Sequence, residues 1–198
     1  NITGLTGGMA ALPGIDDLTA HGNWDRTPDY GTIWYPSVAY DWAPYRDGHW
    51  AYIAPWGWTW IDHAPWGFTP FHYGRWVRYH GRWAWVPGSI VRRPVYAPAL
   101  VVFITPGIAI GFGSRIAWIP LGPREVYVPP YRTSITYVRN VNVTNVTNVT
   151  NITVNNITIN RNVTNYVNAQ EVTAVPSEAM QLSRPVAAAR IAVNEREF

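Results

Sequence analysis

The chain has 198 residues and a net charge of +3, with 47% hydrophobic but only 14% charged residues. That length suffices for one large or two small domains with a real core, and so little charge requires a surface that is aromatic, uncharged-polar or covered by partners. All fifteen basic residues are arginine and there is no cysteine, which excludes lysine Schiff-base chemistry, disulfides and thiolate metal sites, while the modest net charge does not mark a nucleic-acid protein.

Residues 1–29 are small, polar and glycine-containing, and predict an extended N-terminal arm. Gly4, Gly7, Gly8 and Gly14 argue against a regular helix there. The chain begins at Asn1 rather than at methionine, so a processed or partial product is expected, its export signal already removed.

Residues 30–92 hold ten of the twelve tryptophans, between Tyr30 and Gly88. Three Gly-led runs, Gly31-Thr32-Ile33-Trp34, Gly48-His49-Trp50 and Gly74-Arg75-Trp76, are each answered by a second Trp unit. The answering units are Trp42-Ala43-Pro44, Trp58-Thr59-Trp60 and Trp83-Ala84-Trp85. This predicts three β-hairpins on one plan. In the third, a His80-Gly81 turn sets Tyr79 against Arg82, Arg78 against Trp83, Val77 against Ala84 and Trp76 against Trp85. Arg78 then faces the Trp83 ring in a cation–π contact. In the second, a Pro55-Trp56-Gly57 loop with Gly57 left-handed places Trp50, Tyr52, Trp58 and Trp60 on one face.

Residues 93–139 predict an apolar hairpin followed by a proline-rich connector. Ala99–Ile104 turns at Pro106-Gly107 and returns through Ile108–Phe112, a buried hairpin rather than a membrane span, which needs about 20 unbroken apolar residues. The prolines from Pro120 to Pro130 predict extended, edge-like chain. Residues 140–168 contain an Asn-Val-Thr triplet repeat and predict a polar strand with two equivalent faces, prone to add to other strand edges. Residues 169–198 form a tail with one short helix starting near Ser177 and ended by Arg184-Pro185.

Several of these stretches carry a family resemblance. They are Tyr45-Arg-Asp-Gly-x-Trp50, Pro55-Trp-Gly-Trp-Thr-Trp60, Pro65-Trp-Gly-Phe-x-Pro-x-His-Tyr-Gly-Arg-Trp76 and Trp83-x-Trp-Val-Pro-Gly88. The later segments 93–100, 118–127, 137–144 and 172–176 match in order as well. Over roughly residues 30–186 the chain resembles a bacterial repeat domain of unknown function, rich in Trp, Tyr, Gly and Pro. That domain is often found C-terminal to FecR-type domains in exported proteins. The resemblance implies an exported bacterial location and supplies no catalytic residues. No FecR-type segment is visible in these 198 residues.

Candidate chemistry is sparse. His21, His49, His63, His72 and His80 lack zinc-ligand spacing, and hydrogen-bonded turn residues are the favoured reading of Asp62-His63 and His72. Asp41, Asp47 and Asp62 could offer a carboxylate pair for glycoside hydrolysis, but aspartates beside Pro, Gly and His more often form turns. Arg75, Arg78 and Arg82 among aromatics could suit single-stranded nucleic acid, a reading the charge disfavours. No catalytic residue, metal or cofactor is expected.

The fold expected is all-β, and the leading expectation is a non-enzymatic structural protein of a bacterial envelope or extracellular assembly. It would self-associate into an oligomer or polymer by strand addition through residues 138–168. The residues carrying this are Asn142, Thr144, Asn145, Thr147, Asn148, Thr150, Asn151 and Thr153. The alternative is a glycan-binding module of cell wall or matrix, stacking polysaccharide on Tyr45, Trp56, Trp66 and Tyr73. Membrane contact without a transmembrane span completes the expectation of periplasmic, outer-envelope or extracellular location.

Overall fold

The computed structural model describes residues 12–89, 93–104, 115–145 and 165–193. They fold as antiparallel β-sheet with short helices, an all-β architecture. Strands β1 (Gly22–Thr27), β2 (Gly31–Pro36), β6 (Arg82–Val86) and β5 (Arg75–Tyr79) form a four-stranded sheet in that order. Strands β3 (Gly48–Ile53) and β4 (Gly57–Asp62) form a separate hairpin. Strands β7 (Val101–Ile104), β8 (Arg115–Pro120) and β9 (Thr173–Pro176) form the third sheet. The helices among the described residues are α1 (Ile15–Ala20), α2 (Thr69–His72), α3 (Ile135–Asn142), α4 (Ser177–Gln181) and α5 (Val186–Ala189). None is long and apolar enough to cross a membrane.

The third hairpin has the expected register from Trp76↔Trp85 to Tyr79↔Arg82. His80 (φ 49°) and Gly81 (φ 79°) are both left-handed, the signature of a two-residue turn matching strand twist. The Arg78 guanidinium lies 4.8 Å from the Trp83 ring centre. The second hairpin pairs Trp50 with Trp60 and Tyr52 with Trp58, so the four rings share one face as expected. Its loop begins one residue earlier, because Gly57 (φ 81°) already pairs with Ile53.

The first hairpin differs. Trp34 pairs with Trp24, not with Trp42, and the outer side of β2 is taken by β6 through Trp34↔Trp85. Trp42 instead packs on Trp66 and Trp76 at 5.9 and 5.4 Å. The stretch read as an N-terminal arm therefore supplies β1 and, before it, α1. Gly14 does not block that helix: its left-handed φ of 77° lets the chain turn into it, and Leu18 is then fully buried.

β7 pairs with β8, and residues 108–112, the partner expected for it, lie outside the described residues. β8 is central, flanked by β7 and β9, against the expectation of edge-like chain. Pro120 is tolerated because it ends the strand, and the remaining prolines follow it.

Residues 135–142 are helical, which corrects the strand reading at the start of the triplet segment. Ser134 caps the helix by accepting from the Tyr137 amide at 3.1 Å. Buried Val138 and Val141 are three residues apart, a period nearer to the 3.6 of a helix than to the 2 of a strand. The short helix expected at Ser177 is present as α4.

The core is a mesh of indoles. Trp34, Trp50, Trp60, Trp76, Trp85 and Trp118 are all fully buried. Trp118 meets Trp50 edge-on at 5.3 Å and Trp60 at 6.4 Å, joining the third sheet to the β3–β4 hairpin. Buried indole N–H groups need acceptors. Trp34 donates to Leu18 O, Trp76 to Pro70 O, Trp85 to Tyr73 O and Trp118 to Tyr45 O.

Arg75, grouped above with the nucleic-acid-facing arginines, is fully buried instead. It donates to Glu125 O, Gly74 O and Asn142 Oδ1, all uncharged acceptors. Desolvation pulls its guanidinium down to about 10, so it stays charged at neutral pH.

Candidate functional site

A half-exposed shelf of four aromatic rings is assembled from three separate stretches. Trp56 comes from the β3–β4 loop. Phe68 and Tyr73 bracket α2, whose four residues are all buried. Tyr96 comes from the irregular strip before β7. The rings run Trp56–Tyr96 at 5.2 Å, Tyr96–Phe68 at 6.0 Å and Phe68–Tyr73 at 6.4 Å. Phe68 is 48% exposed, a high value for a large apolar side chain held between other rings.

The shelf is held from below. The Ala97 amide donates to His72 O at 3.2 Å, and His72 Nδ1 donates to Ala97 O at 2.7 Å. The His72 ring stacks on Tyr96 at 4.7 Å. Tyr137 on α3 donates its hydroxyl to Tyr96 O at 2.8 Å and accepts from Tyr131 at 3.2 Å. These contacts fix the Tyr96 ring and its backbone before any ligand arrives, so little entropy of that side chain remains to be lost on binding. Burial, then the neighbouring Tyr73 and Tyr131 phenols, pushes Tyr96 up to about 12. Tyr73 is raised by burial as well. The shelf is therefore uncharged and keeps hydroxyl donors across ordinary pH.

Burial holds the His72 imidazole neutral, pulling it down to about 4. The unfolded chain takes up a proton at the ordinary value near 6.5, so the stability tied to neutral His72 is complete above that pH. It is lost as pH falls towards 4, by about 3 kcal/mol in all. Asp62 acts in the opposite sense. Burial raises its carboxyl to about 7, so its contribution grows as pH falls from 7 towards 4. The expected result is that His72→Asn, which keeps an N–H donor for Ala97 O, flattens the acid loss relative to wild type. Urea midpoints of both proteins between pH 7.5 and 4 check it; parallel curves would refute it.

Residues 15–125 match the model of a family of unknown function (DUF6600). The chain belongs to that family. No curated protein matches the chain, and no solved structure does. The DUF6600 stretch contains the whole shelf and β1 through β8, but not α3, β9, α4 or α5.

The four residues expected to form a glycan platform separate into two pairs. Trp56 and Tyr73 reach the shelf. Tyr45 and Trp66 do not: they are 0% and 6% exposed. The Tyr45 hydroxyl donates to Phe71 O at 2.8 Å and accepts from the Leu100 amide, while Trp66 lies against Trp34 at 5.0 Å. Both are core residues, because the loops carrying them fold inward over α2. Phe68 and Tyr96 went unread as site residues. Their signal was the proline spacing around them, Pro65 and Pro70, Pro94 and Pro98, which holds single aromatics on irregular chain.

Of the self-association set, Asn142 is fully buried, bonded to Arg75, to both polar backbone groups of Tyr127 and to Val138 O. Asn145 is buried, its side-chain oxygen accepting from the Thr144 hydroxyl at 2.7 Å, and Thr144 O accepts from the Ser89 amide. These three residues make hydrogen bonds within the chain. Thr147, Asn148, Thr150, Asn151 and Thr153 lie outside the described residues.

Asp41 is exposed, and Asp62 accepts from Trp60 Nε1 and the Ala64 amide at 2.9 and 3.0 Å. Elsewhere a cleft of about 540 Å³ has a mixed lining that includes Asp29, Tyr30, Val86, Arg124, Val143 and Asn145. Arg124 there has a left-handed φ of 65° and donates to Asp29 O.

Proposed function

We propose that this chain is a non-enzymatic binding module of an exported bacterial protein, recognising polysaccharide of the cell wall or matrix. The observation that supports this is the continuous shelf of Trp56, Tyr96, Phe68 and Tyr73, whose rings are rigidly backed and half-exposed. Sugar rings with equatorial substituents present flat C–H faces that stack on aromatic faces. Uncharged phenols at the rim can then bond the ring hydroxyls. Self-association through residues 138–168 is placed behind this reading, since Asn142, Thr144 and Asn145 make intramolecular bonds.

The test is titration of tryptophan fluorescence with soluble β-glucan, chito-oligosaccharide and peptidoglycan fragments, with co-sedimentation on the insoluble polymers. One polymer class is expected to bind saturably. Trp56→Ala and Phe68→Ala are each expected to weaken it at least about tenfold, or ~1.4 kcal/mol. Tyr40→Ala, fully exposed and off the shelf, is expected to leave binding unchanged. Equal binding by the shelf variants and wild type would defeat the proposal.

A further inference from the structure

The open end of the β3–β4 hairpin carries a second, unrelated arrangement. His49 lies on β3 opposite Ile61, and His63 follows the last residue of β4. The His63 amide donates to Asp47 O at 2.9 Å, continuing the ladder one step beyond the strands. The root is rigid. Gly48 pairs with Asp62, and a Cβ on Gly48 would lie 2.3 Å from Ile61 O.

This geometry brings His49 Nδ1 within 2.9 Å of His63 Nε2. The ring centres are 5.2 Å apart, so the two nitrogens face each other almost along the line joining the rings. On its far side, His63 Nδ1 lies 3.8 Å from Asp47 Oδ1. A carboxylate on that side favours the His63 tautomer with its proton on Nδ1, which leaves the Nε2 lone pair directed at His49. Asp62 is not available as a ligand, because both its oxygens accept protein N–H groups. The His63 and Asp47 side chains are 40% and 56% exposed, open to ions from solvent.

We propose that His49 and His63 form a two-imidazole site for a borderline transition-metal cation such as Cu²⁺, Ni²⁺ or Zn²⁺, with Asp47 as the positioning carboxylate. Metal–nitrogen bonds of about 2.0–2.1 Å place two ligand nitrogens about 2.9–3.4 Å apart around a square or tetrahedral ion. The pair already stands at that separation. Binding turns the exposed His63 ring and the half-buried His49 ring so that both lone pairs meet at one point. The His49 proton shifts from Nδ1 to Nε2 through solvent, and both imidazoles remain neutral. No three His, Asp or Glu side chains among the described residues converge as ligands, so water fills the remaining positions. The affinity expected of two imidazoles is on the order of micromolar. Cu²⁺ ranks first among the divalent ions.

Isothermal titration of the whole chain with Cu²⁺ at pH 7.5 tests this. Wild type is expected to show one site that His49→Ala and His63→Ala each weaken at least tenfold. Asp47→Asn is expected to weaken it about tenfold by releasing the His63 ring. His80→Ala, in the β5–β6 turn, is expected to leave it unchanged. Matching urea midpoints show that each variant is folded. Unchanged Cu²⁺ affinity in the His49→Ala/His63→Ala double variant, or no site in wild type, would overturn the proposal and leave the pair as a shared-proton hydrogen bond.

Discussion

Replacing Asn142 with alanine is expected to remove about 4 kcal/mol of stability, a large part of the 5–15 kcal/mol that a domain of this kind has in total. One amide side chain here serves four partners. Its oxygen accepts from Arg75 Nη2 at 3.0 Å and from the Tyr127 amide at 2.7 Å. Its nitrogen donates to Tyr127 O at 2.9 Å and Val138 O at 2.7 Å. Alanine leaves Tyr127 with two buried backbone groups unpaired and takes one acceptor from a buried cation. Each orphaned group costs about 1–3 kcal/mol, more where charge is involved. Asn142→Asp keeps both accepted bonds and brings a negative charge to Arg75, yet turns an acceptor towards two carbonyl oxygens. It is expected to fall between wild type and the alanine variant. Urea denaturation followed by fluorescence checks the order, and an alanine variant within about 1 kcal/mol of wild type would refute it.

Trp118→Ala is expected to cost about 4–5 kcal/mol, the upper end for deleting a buried indole. Trp118 is fully buried where the third sheet meets the β3–β4 hairpin, edge-on to Trp50. Its neighbours Trp50 and Trp60 are held in their own hairpin and cannot collapse far into the space left. Tyr45 O also loses its 3.1 Å bond from the indole N–H. Trp118→Phe fills most of the volume and lacks only that donor, so it is expected to cost about 1–2 kcal/mol. Thermal or urea unfolding separates the two. Equal losses would show that the ring volume is not what joins the sheets.

The parts of this fold legible in the sequence are those set by neighbours. The β5–β6 register follows from one His-Gly turn and strand alternation, and it extends correctly to Trp76↔Trp85. The pairing of β2 could not be read in the same way. Trp34 has Trp24 on one side and Trp85, fifty-one positions away, on the other. Gly-x-Trp spacing holds no information about which edge a distant strand takes. The shelf divided on similar lines. Trp56, at the apex of a hairpin, was readable as exposed. Tyr45 and Trp66, in loops of similar composition, are buried because α2 draws those loops inward, and α2 owes its position to contacts from Ala97 and Trp76. Asn142 illustrates the same limit: its partner Arg75 lies 67 residues earlier.

The family match ends at residue 125, yet the folded body does not. β9 completes the third sheet alongside β8, and Val175, Ala179, Met180 and Val186 seal the main core. Arg46 reaches Thr173, 127 positions away. A ribosome releasing this chain from its N-terminus therefore exposes nearly all the indoles before the segment that covers them exists. Until residues 173–189 arrive, the nascent chain carries an open apolar surface, and its folding must wait for contacts of long sequence separation. A product truncated after the recognised family stretch is thus expected to be insoluble without a holding chaperone, whereas a chain that includes residues 173–189 closes over its own tryptophans.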